Sequence, residues 1–172
     1  MNLTDVITGT PVTSEELRAA RDWRVLEKWE LLPAGDGSCL VEFSLNIAGA
    51  VKAFPFARAA FREELRELQE KLGRFSIKNT KICEEPTGDH AFFLLDSPEI
   101  PVKQFLVSIE ESHPLGRLFN LDVCGLGGVS VKRQDLHLLP RTCLVCGGDA
   151  NTCQAQKRHS MELIQWQTAK LF

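Results

Sequence analysis

Apolar and polar positions change period along this chain, and the changes mark the elements. Over 39–47 the residues Cys39, Val41, Phe43, Leu45 and Ile47 alternate with Leu40, Glu42, Ser44 and Asn46, which predicts a strand with one buried face. Phe75 to Cys83 and His90 to Leu95 predict two more, joined by a turn at Glu85-Pro86-Thr87-Gly88-Asp89. A fourth runs from Leu118 to Val123, where Phe119, Leu121 and Val123 alternate with Asn120 and Asp122. Gly125-Leu126-Gly127-Gly128 then predicts a turn into a hairpin partner, Val129 to Arg133.

Between the strands the period lengthens to that of a helix. Ala57, Phe61, Leu65, Leu68 and Leu72 form one stripe over Pro55–Leu72, with Gly73 as the cap. Val102, Phe105, Leu106 and Ile109 form another, from near Pro101 to about Ser112. A first helix starts at Thr13-Ser14-Glu15-Glu16, a capping box, and runs to about Trp29. Arg18, Arg21, Arg24 and Lys28 share one of its faces, while Leu17, Val25 and Trp29 mark the face expected to pack. Pro33 to Ser38 reads as a loop, 138–159 as irregular, and Ser160 to Phe172 as a last helix with Met161, Ile164, Thr168 and Leu171 inward. The pattern predicts one α+β domain over 1–172, a mixed or largely antiparallel sheet with helices packed on one side. A Cys/His-containing segment, 138–172, closes it.

Composition narrows the function. Hydrophobic residues make up 44% and charged residues 25%, ordinary for a globular protein. A net charge of −3 argues against a general nucleic-acid or anionic-membrane binder, so any phosphate site must be local. No apolar run is long enough for a membrane span, and the first residues lack the basic start of a signal peptide. The expected location is the cytoplasm, where the six cysteines would be reduced thiols or metal ligands rather than disulfides.

Three groupings could carry chemistry. Cys143-x-x-Cys146 with Cys153 and His159 offers ligands for a structural Zn²⁺, or a set of reduced thiols. Asn120 and Asp122, roughly 6–7 Å apart along a strand, suit a divalent cation, or simply solvent. The basic helix face and the turn Ala48-Gly49-Ala50-Val51-Lys52 would suit a polyphosphate, or be a solvated face and a bend.

His113-Pro114-Leu115-Gly116-Arg117-Leu118-Phe119-Asn120-Leu121-Asp122-Val123 closely resembles the signature of the citrate lyase holo-acyl-carrier-protein synthase family, the apo-citrate lyase phosphoribosyl-dephospho-coenzyme A transferases. The likeness extends to Glu110, to Arg21-Asp22-Trp23-Arg24, to Gly49–Lys52, to Lys132-Arg133-Gln134-Asp135, to Leu139–Cys146, and on to Cys153 and His159. The resemblance implies attachment of phosphoribosyl-dephospho-coenzyme A, from triphosphoribosyl-dephospho-coenzyme A, to a serine of the apo acyl carrier protein of citrate lyase, with loss of pyrophosphate. It implies Mg²⁺ held by Asp122, Asn120 and Glu110 as catalytic residues, with Arg117 beside them. Arg21 and Arg24 would hold the phosphate tail, with Lys52 and Arg133 as further candidates. His113 would either take the serine proton or serve in packing. By analogy of reaction, the fold would be nucleotidyltransferase-like.

Asn120 stands where the family pattern has Asp. The exchange keeps an oxygen ligand but removes a charge, worth on the order of 4 kcal/mol for a pair near 4 Å at an effective dielectric of ~20. Two other readings stay open at this level: a silent protein that binds carrier or nucleotide, and a nucleotidyltransferase using a common nucleoside triphosphate.

Overall fold

In a computed structural model, residues 6–32 and 37–172 are described; most of the loop expected over 33–38 lies outside them. The first helix, α1 (Ser14–Leu31), begins as expected: Thr13 N–H donates to Glu16 Oε2 at 2.7 Å, and Glu16 N–H donates to Thr13 Oγ1 at 3.1 Å. There follow β1 (Cys39–Leu45), α2 (Pro55–Leu72), β2 (Ile77–Cys83), β3 (His90–Leu95), α3 (Glu99–Ser112) and β4 (Phe119–Cys124). The C-terminal part holds two short helices, α4 (Ala150–Ala155) and α5 (Met161–Ala169).

The four strands lie in the order β2-β3-β1-β4 and every neighbouring pair is antiparallel. With α2 joining β1 to β2 and α3 joining β3 to β4, this is the split β-α-β arrangement, in which each helix crosses the same face of one sheet. The alternation decides that face. Val41, Phe43, Ala91, Phe93, Leu95, Phe119, Leu121 and Val123 meet Phe61, Leu65, Leu68 and Leu72 of α2 and Val102, Leu106 and Ile109 of α3 in one buried cluster. Phe43 stacks on Phe61 with ring centroids 5.2 Å apart and takes the edge of Phe119 at 5.6 Å. Burial of each such side chain contributes about 2 kcal/mol.

Helices on one side only is where the expectation fails. α1 lies across the opposite face, and it does so with its charged side inward. Arg24 Nε meets Glu42 Oε1 at 3.2 Å, Lys28 pairs with the other oxygen, Glu27 is buried against Lys81, and Trp23 packs on His90. Val25 and Trp29, two of the three residues expected to pack, are 48% and 60% exposed, and Leu17 is only half-buried. The cause is the sheet: its second face carries Glu42, which is 5% exposed, and only a cationic partner compensates a carboxylate buried there.

Three smaller expectations also change. Gly73 stays right-handed (φ −53°) and the chain continues into a 3₁₀ turn, so the left-handed residue is Ser76 (φ 55°). Val129–Arg133 does not form a strand: one bridge joins Cys124 to Ser130, and the Lys132 N–H to Asp135 Oδ2 bond (2.7 Å) opens a 3₁₀ turn at Arg133–Leu136. Met161 is 55% exposed, and α5 is held by Thr168 and Ala169, the latter in a small cluster with Val6, Ile47, Phe54 and Ala57. That cluster sets α5 beside the end of β1, where the cleft opens. Among the described residues no helix is long and apolar enough to cross a membrane.

Candidate functional site

The pairing of β1 with β4 builds the acidic part. Glu42 stands opposite Asp122 and Ser44 opposite Asn120, all on the sheet face away from the core, so cross-strand side chains lie within ~5.5 Å at Cβ. Asn120 Nδ2 donates to Asp122 Oδ2 at 3.0 Å, a bond that does not use the amide oxygen. The polar row ends at Asn46, whose N–H bonds to Leu118 O (2.7 Å) and whose side chain lines a cleft of about 870 Å³.

The cleft is basic. Lys52, Arg117, Arg133, Arg141 and Lys157 line it, against a single acid, Glu111. Its other walls include Ile47, Ala48, Leu118, the segment from Leu138 to Val145, Cys153 and His159, and Ile164 and Thr168 of α5. Four of these five cations are held by protein partners. Arg117 donates to both the hydroxyl and the carbonyl of Thr142. Arg133 donates to Leu139 O (3.1 Å), to Glu110 (3.1 Å) and to Glu111. Arg141 also pairs with Glu110. Lys52 donates to Ile47 O, and burial pushes its pKa down. A size of hundreds of cubic ångströms with convergent cations fits a large polyanion.

Several expected residues are thus brought together and others are not. Asn120 and Asp122 meet, and Arg117, Lys52 and Arg133 share the cleft. Glu110 does not join the acids: it rises from α3, is 7% exposed, and its carboxylate is taken by two arginines. Arg21 is exposed on α1 and Arg24 is spent on Glu42, so neither lines the cleft. His113 also points elsewhere. Its Nδ1 accepts the Leu115 N–H (3.1 Å), its ring stacks on Phe119, and its Nε2 lies 3.2 Å from Glu64 of α2. Burial, reinforced by Glu67 and Glu63, raises the Glu64 pKa to about 7, and burial lowers that of His113. Glycine is required at 116, because a Cβ there would sit 2.8 Å from the Glu110 carbonyl carbon and closer still to its oxygen.

Sequence reasoning assigned no role to Glu42, Arg141, Thr142 and Lys157, although Arg141 and Thr142 lie in a stretch that resembles the family. Glu42 had a signal, the polar phase of the β1 alternation; Arg141 and Thr142 directly precede Cys143. Nothing in the sequence pointed to Lys157.

On the cleft's outer wall Cys143, Cys146, Cys153 and His159 place four ligand atoms within 4.8 Å of one another. Cys146 and Cys153 sulfurs are 3.5 Å apart, Val145 N–H donates to Cys143 Sγ (3.4 Å), and His159 Nε2 is buried without a partner. Burial works against the Cys143 thiolate, yet hydrogen bonds from the backbone of Cys146 and Val145 and from the neighbouring thiols bring its pKa to about 7.

The family model described as apo-citrate lyase phosphoribosyl-dephospho-CoA transferase matches residues 12–172. A probable apo-citrate lyase phosphoribosyl-dephospho-CoA transferase of Vibrio cholerae serotype O1 (strain M66-2) is 32% identical over 156 residues, 89% of this chain and 87% of that protein. One of Streptococcus pyogenes serotype M18 is 28% identical over 172 residues, 95% of this chain and 87% of the relative. Protein CitXG of Leuconostoc mesenteroides subsp. cremoris is 32% identical over 143 residues, 82% of this chain but 31% of its own length. This chain therefore spans about a third of that longer relative and most of the others. A match that begins just before the α1 cap and ends at the last residue takes in the sheet, the acid pair and the whole basic cleft, and on it the chain belongs to the apo-citrate lyase phosphoribosyl-dephospho-CoA transferase family.

Proposed function

We propose that this chain transfers phosphoribosyl-dephospho-coenzyme A from triphosphoribosyl-dephospho-coenzyme A to a serine of the apo acyl carrier protein of citrate lyase. The observation that carries the reading is the cleft of about 870 Å³ whose cations outnumber its one acid and which opens at the end of the Glu42–Asp122, Ser44–Asn120 row. Arg117, Arg133, Arg141 and Lys52 bind the triphosphate end, with guanidinium planes already oriented by Thr142 and Glu110. The serine oxygen bonds to the α-phosphorus, the bond to pyrophosphate breaks, and the serine proton passes to solvent.

The acids at the sheet supply oxygen ligands, the donor type Mg²⁺ takes. Asp122, the Asn120 amide oxygen and Glu42 would hold it, with Glu42 exchanging Arg24 and Lys28 for the ion. Mg²⁺ held there would supply charge neutralisation for phosphoryl transfer, and since Glu42, Asn120 and Asp122 do not themselves line the cleft, the reacting phosphate would have to extend along the row from Asn46. A kinship with nucleotidyltransferase folds is inferred from the reaction class and the acids on the sheet, as an analogy. We place the reaction in the cytoplasm, with no nucleic acid or membrane as partner, in line with the net charge of −3.

The test is incubation with apo carrier protein, Mg²⁺ and the activated cofactor, followed by the mass of the carrier. A gain equal to phosphoribosyl-dephospho-coenzyme A is expected, and ATP in its place should give none. Unchanged carrier mass at every Mg²⁺ concentration, with carrier binding intact, would sink the reading; labelling by ATP would make the chain a general nucleotidyltransferase.

A further inference from the structure

We infer that Cys143, Cys146, Cys153 and His159 bind one tetrahedral Zn²⁺, and that this ion, rather than an apolar core, holds the outer wall of the cleft.

The geometry fits the ion in several independent ways. Three sulfurs and one imidazole nitrogen converge within 4.8 Å, the Cys₃His set of structural zinc sites. With Zn–S near 2.3 Å, sulfurs around a tetrahedral ion stand about 3.8 Å apart, whereas a disulfide needs about 2.05 Å. The Cys146–Cys153 distance of 3.5 Å belongs with the first value. His159 Nε2 is buried without a hydrogen-bond partner, which costs free energy unless something accepts its lone pair. The turn that carries the two-cysteine knuckle is shaped for ligation: Gly147 N–H bonds to Cys143 O (2.9 Å), Gly147 takes φ 72°, and Val145 N–H points at the Cys143 sulfur.

The segment also needs a cross-link. Between Leu138 and His159 only Cys153 is buried, so burial of apolar side chains cannot offset the entropy of ordering this stretch. Yet the stretch presents Arg141 and Thr142, the latter holding Arg117, to the cleft. A zinc ion joining the knuckle at 143–146 to α4 and to the start of α5 fixes that wall at one point.

The site does not depend on the transfer reaction, and metal content reads it directly. The whole chain, purified without chelator and with zinc in the growth medium, should carry close to one zinc per chain, and Cys146→Ser or His159→Ala should lose most of it. Should those variants fail to fold, the wild-type chain stripped by chelator and titrated with Co²⁺ should show sulfur-to-cobalt charge-transfer absorption with a one-to-one end point. Hydrogen exchange after stripping should rise at least tenfold over 138–159 and stay unchanged in the sheet. Zinc near zero in the replete preparation, iron in its place, or no thiolate absorption with Co²⁺ would overturn the site. Unchanged exchange over 138–159 would overturn its role in the wall.

Discussion

The sheet and the cleft wall are ordered by different forces. On the core face, side chains from three strands interlock with α2 and α3, and Phe43 alone touches two other aromatic rings. In the wall, Leu138 and Leu139 are exposed, and the order comes from Glu110 with its two arginines, from Arg117 on Thr142, and from the cysteine cluster. The sheet is stabilised by non-directional burial spread over many residues; the wall depends on a few directional contacts. The platform therefore spreads its stability over many contacts, and the binding surface concentrates its order in a few.

The largest effect should come from cutting the platform itself. Phe43→Ala should lower unfolding free energy by about 4 kcal/mol in urea titration, since an aromatic core truncation leaves a cavity; a loss under 1 kcal/mol would mean the core is not the organising element. Glu110→Gln should cost less, about 3 kcal/mol, because it strands two guanidinium groups from one side. Unlike the first change, it should weaken binding of inorganic triphosphate, measured by calorimetry, while the sheet keeps its circular dichroism.

The platform has one polar weak point, and pH exposes it. The Glu64 carboxyl titrates near 7 in the fold against an ordinary value of 4.5, so the folded protein holds a proton there that the unfolded chain releases between those values. Its contribution is favourable at low pH and is lost as pH rises from 4.5 to 7. Glu64→Gln, which cannot ionise, should gain stability relative to the parent over that window, by up to about 3 kcal/mol. His113, lowered by burial, acts in the opposite sense below 6.5 and lies 3.2 Å from Glu64, so the same comparison in a His113→Asn background separates the two groups. Parallel melting curves at pH 4.5 and 7.5 would refute this account. The smallest effect belongs to the acid row: Asn120→Asp should reduce the Mg²⁺ needed for half-maximal transfer about tenfold, or ~1.4 kcal/mol, well below the full charge value because Mg²⁺ keeps screening waters. A higher requirement would remove Asn120 from the metal's surroundings.

Much of the platform is legible in the chain's own periodicity. Alternation in 39–45 and 119–123, the short apolar run at 90–95 and the stripes of α2 and α3 depend only on local spacing, which the core then uses. The orientation of α1 is not legible, since an amphipathic helix is read with its apolar face inward, and here a buried Glu42 on another element reverses the choice. The same distance in sequence hides the site's partners. Asn120 and Asp122 are neighbours in one strand, but Glu42 reaches them only through the β1–β4 register, and Arg141 reaches Glu110 only through the fold. A signature motif locates the acids; it does not distinguish Glu110, which orients arginines, or His113, which packs on Phe119, from residues that face the cleft.

Gly116 ties these parts together mechanically. Its missing side chain lets the turn after α3 close down on the Glu110 carbonyl, and Glu110 in turn steers Arg133 and Arg141. A single methyl group at 116 touches neither phosphate nor metal, yet it would lever the helix end outward and swing both guanidinium groups with it. The turn behaves as a hinge pin: its dimensions, set by one absent carbon, determine where two positive charges come to rest.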